Sequence, residues 1–512
     1  MNLGILQYEL GILQILNQEG IKYEVLNELP AQYSDPIIIN RELSSSELNI
    51  VKTLLKNRGA ILIDAKNLLK LIPGKFRKKK ISYLVNDHTE IFSNILGIEL
   101  ELPGYINKNQ IFATEYENGL IVALPFNIAE AVTDCRSFRK PFLSDLTKRY
   151  PNEIVAAINK GALRTLIINS IRWLYQKLNR PYIHLWYYPQ QYQSIFAVRI
   201  DTDFSGKDSI ERTFELENKT ELKFTYFIHT QYLFDLPQIP KDFQIHCYEH
   251  KVYPDYERNY KNIFQAKQIL ESFGINPIGF ASPYGFWNKN LQRALEDNNI
   301  KYSSEFSLAY DDLPFYPIIN NTLSCVLQIP VHPICIGRLL HAGISPQNCV
   351  SYYFNYFITQ LIKREPMIIY DHPNRVTQFY EVLYEILHKA KGLPNIWLTT
   401  LTEYYYWWIK RLKIFNEASW TIENDILNIK TSHTTADIAL HIIFPNNEEA
   451  FITLKNGSYN LKNLTKKKII RLDFTDQDIR KYKNLHSFQT KTQISFFTLA
   501  NKILKYTKRR KK

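Results

Sequence analysis

Cysteine is scarce in this chain: five residues in 512, at positions 135, 247, 325, 335 and 349, with no CxxC spacing among them. So few thiols, so irregularly placed, exclude a disulfide framework, and reduced cysteines are the expectation. Long apolar runs are missing as well. Nowhere do 18 apolar residues follow one another, so no membrane-spanning helix is predicted. The opening MNLGILQYELGILQIL has no basic segment ahead of its apolar stretch and carries Glu9 within it, so the reading is of a cytoplasmic protein. Internal repeats are absent, and so are zinc-finger and helicase-type motifs.

What is present is an ordinary globular composition, 45% apolar and 22% charged, with 34 Tyr and 29 Phe. Disorder is thereby excluded for all but the tails. A chain of 512 residues exceeds what one core organises, so two or three domains are expected. The net charge of +13 sits largely in short runs: KFRKKK at 75–80, the triplet Lys466–Lys468, and seven of the last twelve residues. Runs of this kind read as solvated edges or tails, with peripheral contact to an anionic surface through the basic tail as the alternative. Nucleic acid is not an expected partner.

Residues 1–150 alternate helical and strand patterns. A Ser-rich cap precedes a helical repeat over Leu43–Leu55 that stops at Gly59, and the buried-strand runs AILID (60–64) and LIVAL (120–124) follow. This is the pattern of an open α/β sheet, amidotransferase-like or flavodoxin-like. A glutaminase nucleophile is not expected, because the only cysteine before residue 200 is Cys135, in TDCRSF. Residues 161–178 read as one amphipathic helix within a connecting segment, 151–193. After Trp408 short alternating segments and an Asn456-Gly457 turn signal predict a small β-rich domain, 413–512, ending in the basic tail.

The chemistry begins at VRIDTDF, where Asp201 and Asp203 end an apolar strand, the place where an α/β barrel gathers its functional side chains. Two such carboxylates can divide labour, one ligating a metal and the other taking a proton from water. His246 and His250, in FQIHCYEHKVY, are four apart, which puts both rings on one face if the segment turns helically. Two imidazoles and a carboxylate suit zinc or a similar divalent ion.

The ordered set RIDTDF, HCYEH, GFASPYGFW and IIYDHP resembles the successive motifs of NodB-homology polysaccharide deacetylases, carbohydrate esterase family 4. The resemblance implies a distorted (β/α) barrel over 194–412 that removes an N-acetyl group from a saccharide or saccharide precursor. It implies further that Asp203, His246 and His250 hold a divalent metal, expected to be zinc, with Asp201 as general base. Tyr284 would offer its backbone N–H to the oxyanion, and His372 would protonate the leaving amine. Pro283 and Trp287 in the third segment, and His332 and Asp371 near strand ends, are expected to line the substrate cleft. The chain departs from the family pattern in four places, one being the family's Asp- and Trp-containing segment, which has no clear match here: YDDLPFYP at 310–317 is nearest, with Asp311 and Asp312 read as loop residues. Thr202 separates two acids that are normally adjacent, which leaves open which is base and which is ligand. Ala281 stands where an arginine would orient the base, and Cys247 replaces a Ser or Thr. Hydrolysis of another non-peptide carbon–nitrogen bond and non-catalytic saccharide binding are the alternatives.

Overall fold

The computed structural model describes residues 2–486 apart from 73, 75, 76, 107–109, 148 and 233–240. The expected basic tail, and two residues of the first basic run, lie outside the described residues.

The chain opens with a six-stranded sheet. Leu3–Leu6, Tyr23–Leu26, Ile37–Ile39, Ala60–Asp64 and Gly119–Leu124 run parallel, in the spatial order second, first, third, fourth, fifth, and Phe112–Tyr116 adds an antiparallel edge. That order is the flavodoxin-like doubly wound one. The helix expected from the Ser-rich cap forms at Ser45–Lys56, with Ser44 and Glu47 closing a capping box. Both expected strands form, fully buried because helices cover the sheet's two faces. Cys135 is half-buried beside Leu308, Ala309 and Phe315.

The second sheet has eight strands, all parallel, and it positions the functional groups. Met367–Asp371, Ser194–Asp201, Phe224–His229, Asp242–Cys247, Gly279–Phe280, Tyr302–Ser303 and Leu327–Gln328 lie side by side, and Ile396–Leu398 also pairs with Ser194–Asp201. The sheet curls into a partial barrel. Across its open side the chain beyond Leu327–Gln328 swings toward Met367–Asp371, where the His332 N–H donates to the Ile368 carbonyl at 2.9 Å. The central strands read as continuous apolar runs for the same reason as in the first sheet: each face packs on protein.

The expected connecting helix runs over Lys160–Lys177. Its flanks do more than connect. Asn152–Ala156 pairs with Ser137–Pro141, and Tyr182–Leu185 pairs with Ala439–Ile443 of the C-terminal sheets. The Trp and Tyr of HLWYYP are packing residues there, with Trp186, Tyr187 and Tyr188 all buried. The Asn456-Gly457 signal marks a crossover and not a hairpin. Glu448–Thr453 before it pairs with Ala439–Ile443, whereas Gly457–Asn460 after it pairs with Ile426–Lys430 in a different sheet.

Candidate metal centre

Arg199, Asp201 and Asp203 are spaced by two, so the pleat of Ser194–Asp201 sends the first two to the same, inner face. Arg199 is fully buried, and its Nε and Nη2 donate to the two Asp201 carboxylate oxygens at 2.7 and 2.6 Å. The guanidinium is held by the Phe227 and Tyr370 rings, 5.3 and 5.4 Å to their centroids, and by the Ser304 carbonyl. A planar fork matched to a carboxylate fixes both the position and the orientation of the acid.

Thr202 ties the strand end to its neighbour. Its N–H donates to Phe227 O at 3.0 Å and its hydroxyl accepts the His229 N–H at 2.9 Å. The chain then turns left-handed at Asp203, φ +41°, a conformation that costs a non-glycine residue strain and needs support. His229 provides it, its Nδ1–H donating to the Asp203 carbonyl at 2.6 Å.

His246 and His250 do meet, with ring centroids 5.0 Å apart, but a helical turn is not the reason. His246 ends the strand Asp242–Cys247, and His250 lies in the bend beyond it. Asn262, on the following helix, shapes that bend. Its side chain accepts from the Tyr248 and Glu249 N–H groups at 2.9 and 2.7 Å and donates to the Glu249 and Lys251 carbonyls at 2.9 and 3.0 Å.

Asp203 Oδ1 lies 3.1 Å from Nε2 of both His246 and His250. Ligands about 2.0–2.1 Å from a tetrahedral ion are separated by about 3.3 Å, so the three atoms are spaced for one cation. The His246 Nδ1–H donates to the Ala281 carbonyl at 2.7 Å, and among the described residues its buried Nε2 faces the Asp203 carboxylate without a well-aligned hydrogen bond. An imidazole oriented in this way presents a free lone pair, which is the usual second-shell arrangement of a metal-ligating histidine. The donor set fits a divalent ion. Burial alone would raise the Asp203 carboxyl; the two imidazoles against it and the charge of His372 outweigh that and hold it well below the usual carboxylate range.

His372 follows the strand Met367–Asp371, its Nε2 3.4 Å from Asp203 Oδ2 and its Nδ1 3.7 Å from Asp371 Oδ1. Burial would lower its pKa. The Asp371 carboxylate beside it, with the charges of Asp203 and Asp201, instead raises it to about 9. At Tyr284 the backbone is left-handed, φ +58°, and the N–H groups of Gly285 and Phe286 bond back to Ser282 and Pro283. The Tyr284 N–H takes no part in that turn. Gly285 is required here, because it has φ +62° and any Cβ would stand 2.3 Å from the Phe306 ring.

These groups line one cleft of about 530 Å³ at the carboxyl ends of the parallel strands. Asp201, Asp203, His246, His250, Tyr284 and His372 all face it. Four expected lining residues do not. Asp371 is buried behind His372, accepting the Ile336 N–H at 3.1 Å, and Pro283 is buried within the turn. Trp287 packs with Leu308 and Phe315 and donates to Gln292 Oε1 at 2.6 Å. His332 is buried with its Nδ1 3.1 Å from Asp311, because the segment after Leu327–Gln328 that carries it crosses the open side of the barrel, away from the cleft. Sequence reasoning missed Arg199, Cys335, Arg338 and Arg375, and also Glu153, which reaches the cleft from the connecting segment. Only Arg199 left a signal, the two-residue spacing to Asp201.

An arc of aromatic rings borders the centre. Phe204 and Tyr284 flank His250 at 4.9 and 5.0 Å, and Tyr232 and Phe286 extend the arc at either end. All four are exposed, Tyr284 by 61%.

No protein-family model matches the chain, and no curated protein matches it. Among solved structures it is similar to a putative polysaccharide deacetylase from Mycobacterium smegmatis, 14% identical over 44% of this chain and 93% of that one, with a TM-score of 0.38. A Puue allantoinase matches at 13% identity over the same shares, TM-score 0.38. A carbohydrate esterase family 4 pseudoenzyme from Bacillus anthracis matches at 12% over 41% of this chain and 65% of that one, TM-score 0.27. The chemistry of this chain rests on its own geometry.

Proposed function

We propose that the protein is a metal-dependent hydrolase that removes an N-acetyl group from a saccharide. The observation that carries this reading is one cleft in which three metal-ligand atoms, a carboxylate gripped by a buried arginine and a raised-pKa histidine converge beneath exposed aromatic rings. Rings of that kind stack on the apolar faces of sugars. Asp203, His246 and His250 would hold a divalent ion, with zinc the best fit to that donor set, and the ion would supply Lewis acidity for the acetyl carbonyl and water.

The chain's own groups do the rest. Asp201, fixed by Arg199, takes the proton as water oxygen adds to the carbonyl carbon. The Tyr284 N–H donates to the oxygen that turns negative. His372, held beside the Asp371 carboxylate, gives its proton to the nitrogen as the carbon–nitrogen bond breaks, releasing acetate and free amine. Asp203 is the ligand and Asp201 the base, since Asp203 is the acid that touches both imidazoles.

The test is metal content and acetate release from N-acetylated saccharides, for the protein and its His246→Ala, His250→Ala variant. Bound metal and acetate release, both lost in the variant, are expected. Metal without acetate release would point to another carbon–nitrogen bond, and no metal in either protein would leave saccharide binding alone.

A further inference from the structure

The side of the cleft beyond His372 carries cationic groups that the proposed hydrolysis does not use. Arg375 follows His372 by one helical turn, its N–H bonded to the His372 carbonyl at 2.9 Å. Its guanidinium has a neutral partner, Gln378 Oε1 at 3.0 Å. It lies across Gly337, whose missing Cβ would sit 3.5 Å from Arg375 Nε and 3.6 Å from the Cys335 sulfur. Cys335 in turn offers its sulfur within 4.8 Å of a ring nitrogen of His372. Arg375 is therefore close beside the reacting centre and lines the same cleft.

The cleft's carboxylates are otherwise engaged. Glu153 is bonded to Arg338, Asp201 to Arg199, and Asp203 faces the two imidazoles. Among the described residues Arg375 is left without a carboxylate partner, an exposed cation on the cleft wall. A guanidinium in that position recognises a carboxylate or a phosphate through paired, charge-assisted hydrogen bonds.

We propose that the substrate is an N-acetyl saccharide bearing an acidic group, carboxylate or phosphate, which Arg375 binds and Arg338 flanks. The inference rests on the deacetylase reading for the acetyl group, but the recognition of the acid is separable from the reaction. Gly337 fits the same role: with no side chain, it leaves the Arg375 guanidinium uncovered.

The test uses the full chain freed of metal with a chelator, so that no ion competes for the acid. Calorimetric titration at neutral pH compares N-acetylglucosamine, N-acetylglucosamine 1-phosphate and N-acetylmuramic acid. At least one acidic sugar is expected to bind about tenfold or more tighter than the neutral one. That gap should close in Arg375→Gln and, independently, in Gly337→Leu, whose side chain would cover the guanidinium, while both variants still take up zinc. Which acidic sugar binds tighter tells phosphate from carboxylate. Equal binding of all three sugars, or a preference that survives both variants, overturns the inference. Loss of acetate release in the metal-loaded protein would sink the deacetylase reading without touching this binding result.

Discussion

The Arg199–Asp201 pair is buried as well as doubly bonded, and a pair of this kind is costly to break from one side. Arg199→Met leaves an uncompensated buried carboxylate, and its expected cost is about 3–5 kcal/mol in urea unfolding. Adding Asp201→Leu should restore most of that stability, while neither variant releases acetate. Next to the pair lies Glu305, fully buried, with burial pushing its carboxyl up to about 7 from 4.5. The folded chain binds this proton more tightly than the unfolded one, so the contribution is fully present below about 4.5 and is lost as pH rises through about 7. Glu305→Gln should abolish that loss. Comparing urea midpoints at pH 5 and pH 8 in the two proteins is expected to reveal a difference of about 3 kcal/mol.

Elements place the metal ligands more than intrinsic spacing does. The four-residue separation of His246 and His250 suggested a helix, but strand pairing with Phe224–His229 extends the chain through Cys247, and Asn262 then bends it back. Asn262→Ala would free four backbone groups of the bend and let His250 drift. Competition against a chromophoric chelator should register a loss of about 10–100-fold in zinc affinity, with helix content unchanged by circular dichroism. The strand pattern, in contrast, was legible. AILID, LIVAL and SIFAVRID are apolar because both faces of a parallel sheet are covered, and that leaves a mark in any one strand. Hairpin signals are local too, yet at Asn456-Gly457 the partners on either side belong to different sheets, and the turn does not record that.

At the scale of the whole molecule, the N-terminal sheet, the barrel and the C-terminal sheets meet over buried charge. Arg164 on the connecting helix reaches Glu19 Oε2 at 3.0 Å, Asp312 Oδ1 at 2.8 Å and Glu365. Glu19 belongs to the first helix, Asp312 to the loop after Tyr302–Ser303, and Glu365 to the approach to Met367–Asp371. Beside them Arg411 donates to the Glu19, Leu185 and Trp186 carbonyls at 2.8–2.9 Å. Gly20, φ +87°, makes room, since a Cβ there would stand 2.5 Å from Arg411 Nη2. Arg164→Met strands three buried carboxylates. Its melting point should fall, and calorimetry should show the N-terminal sheet and the barrel unfolding further apart in temperature than in the parent protein.

The sequence by itself determined the class of both parallel sheets, the connecting helix and the residues that gather at the barrel's rim. Strand periodicity, capping residues and the order of the acidic and histidine motifs are local in the chain, and local patterns survive in one dimension. Tertiary structure alone decided which of those residues share the cleft. It seated Arg199 against Asp201, a contact that Ala281 cannot make, and it withdrew His332 and Trp287 into packing. It also brought Glu153, Arg338 and Arg375 to one wall from segments far apart in the chain. Such contacts depend on how far a sheet curls and where its open side falls, quantities set by the packing of all its strands together and written in none of them singly.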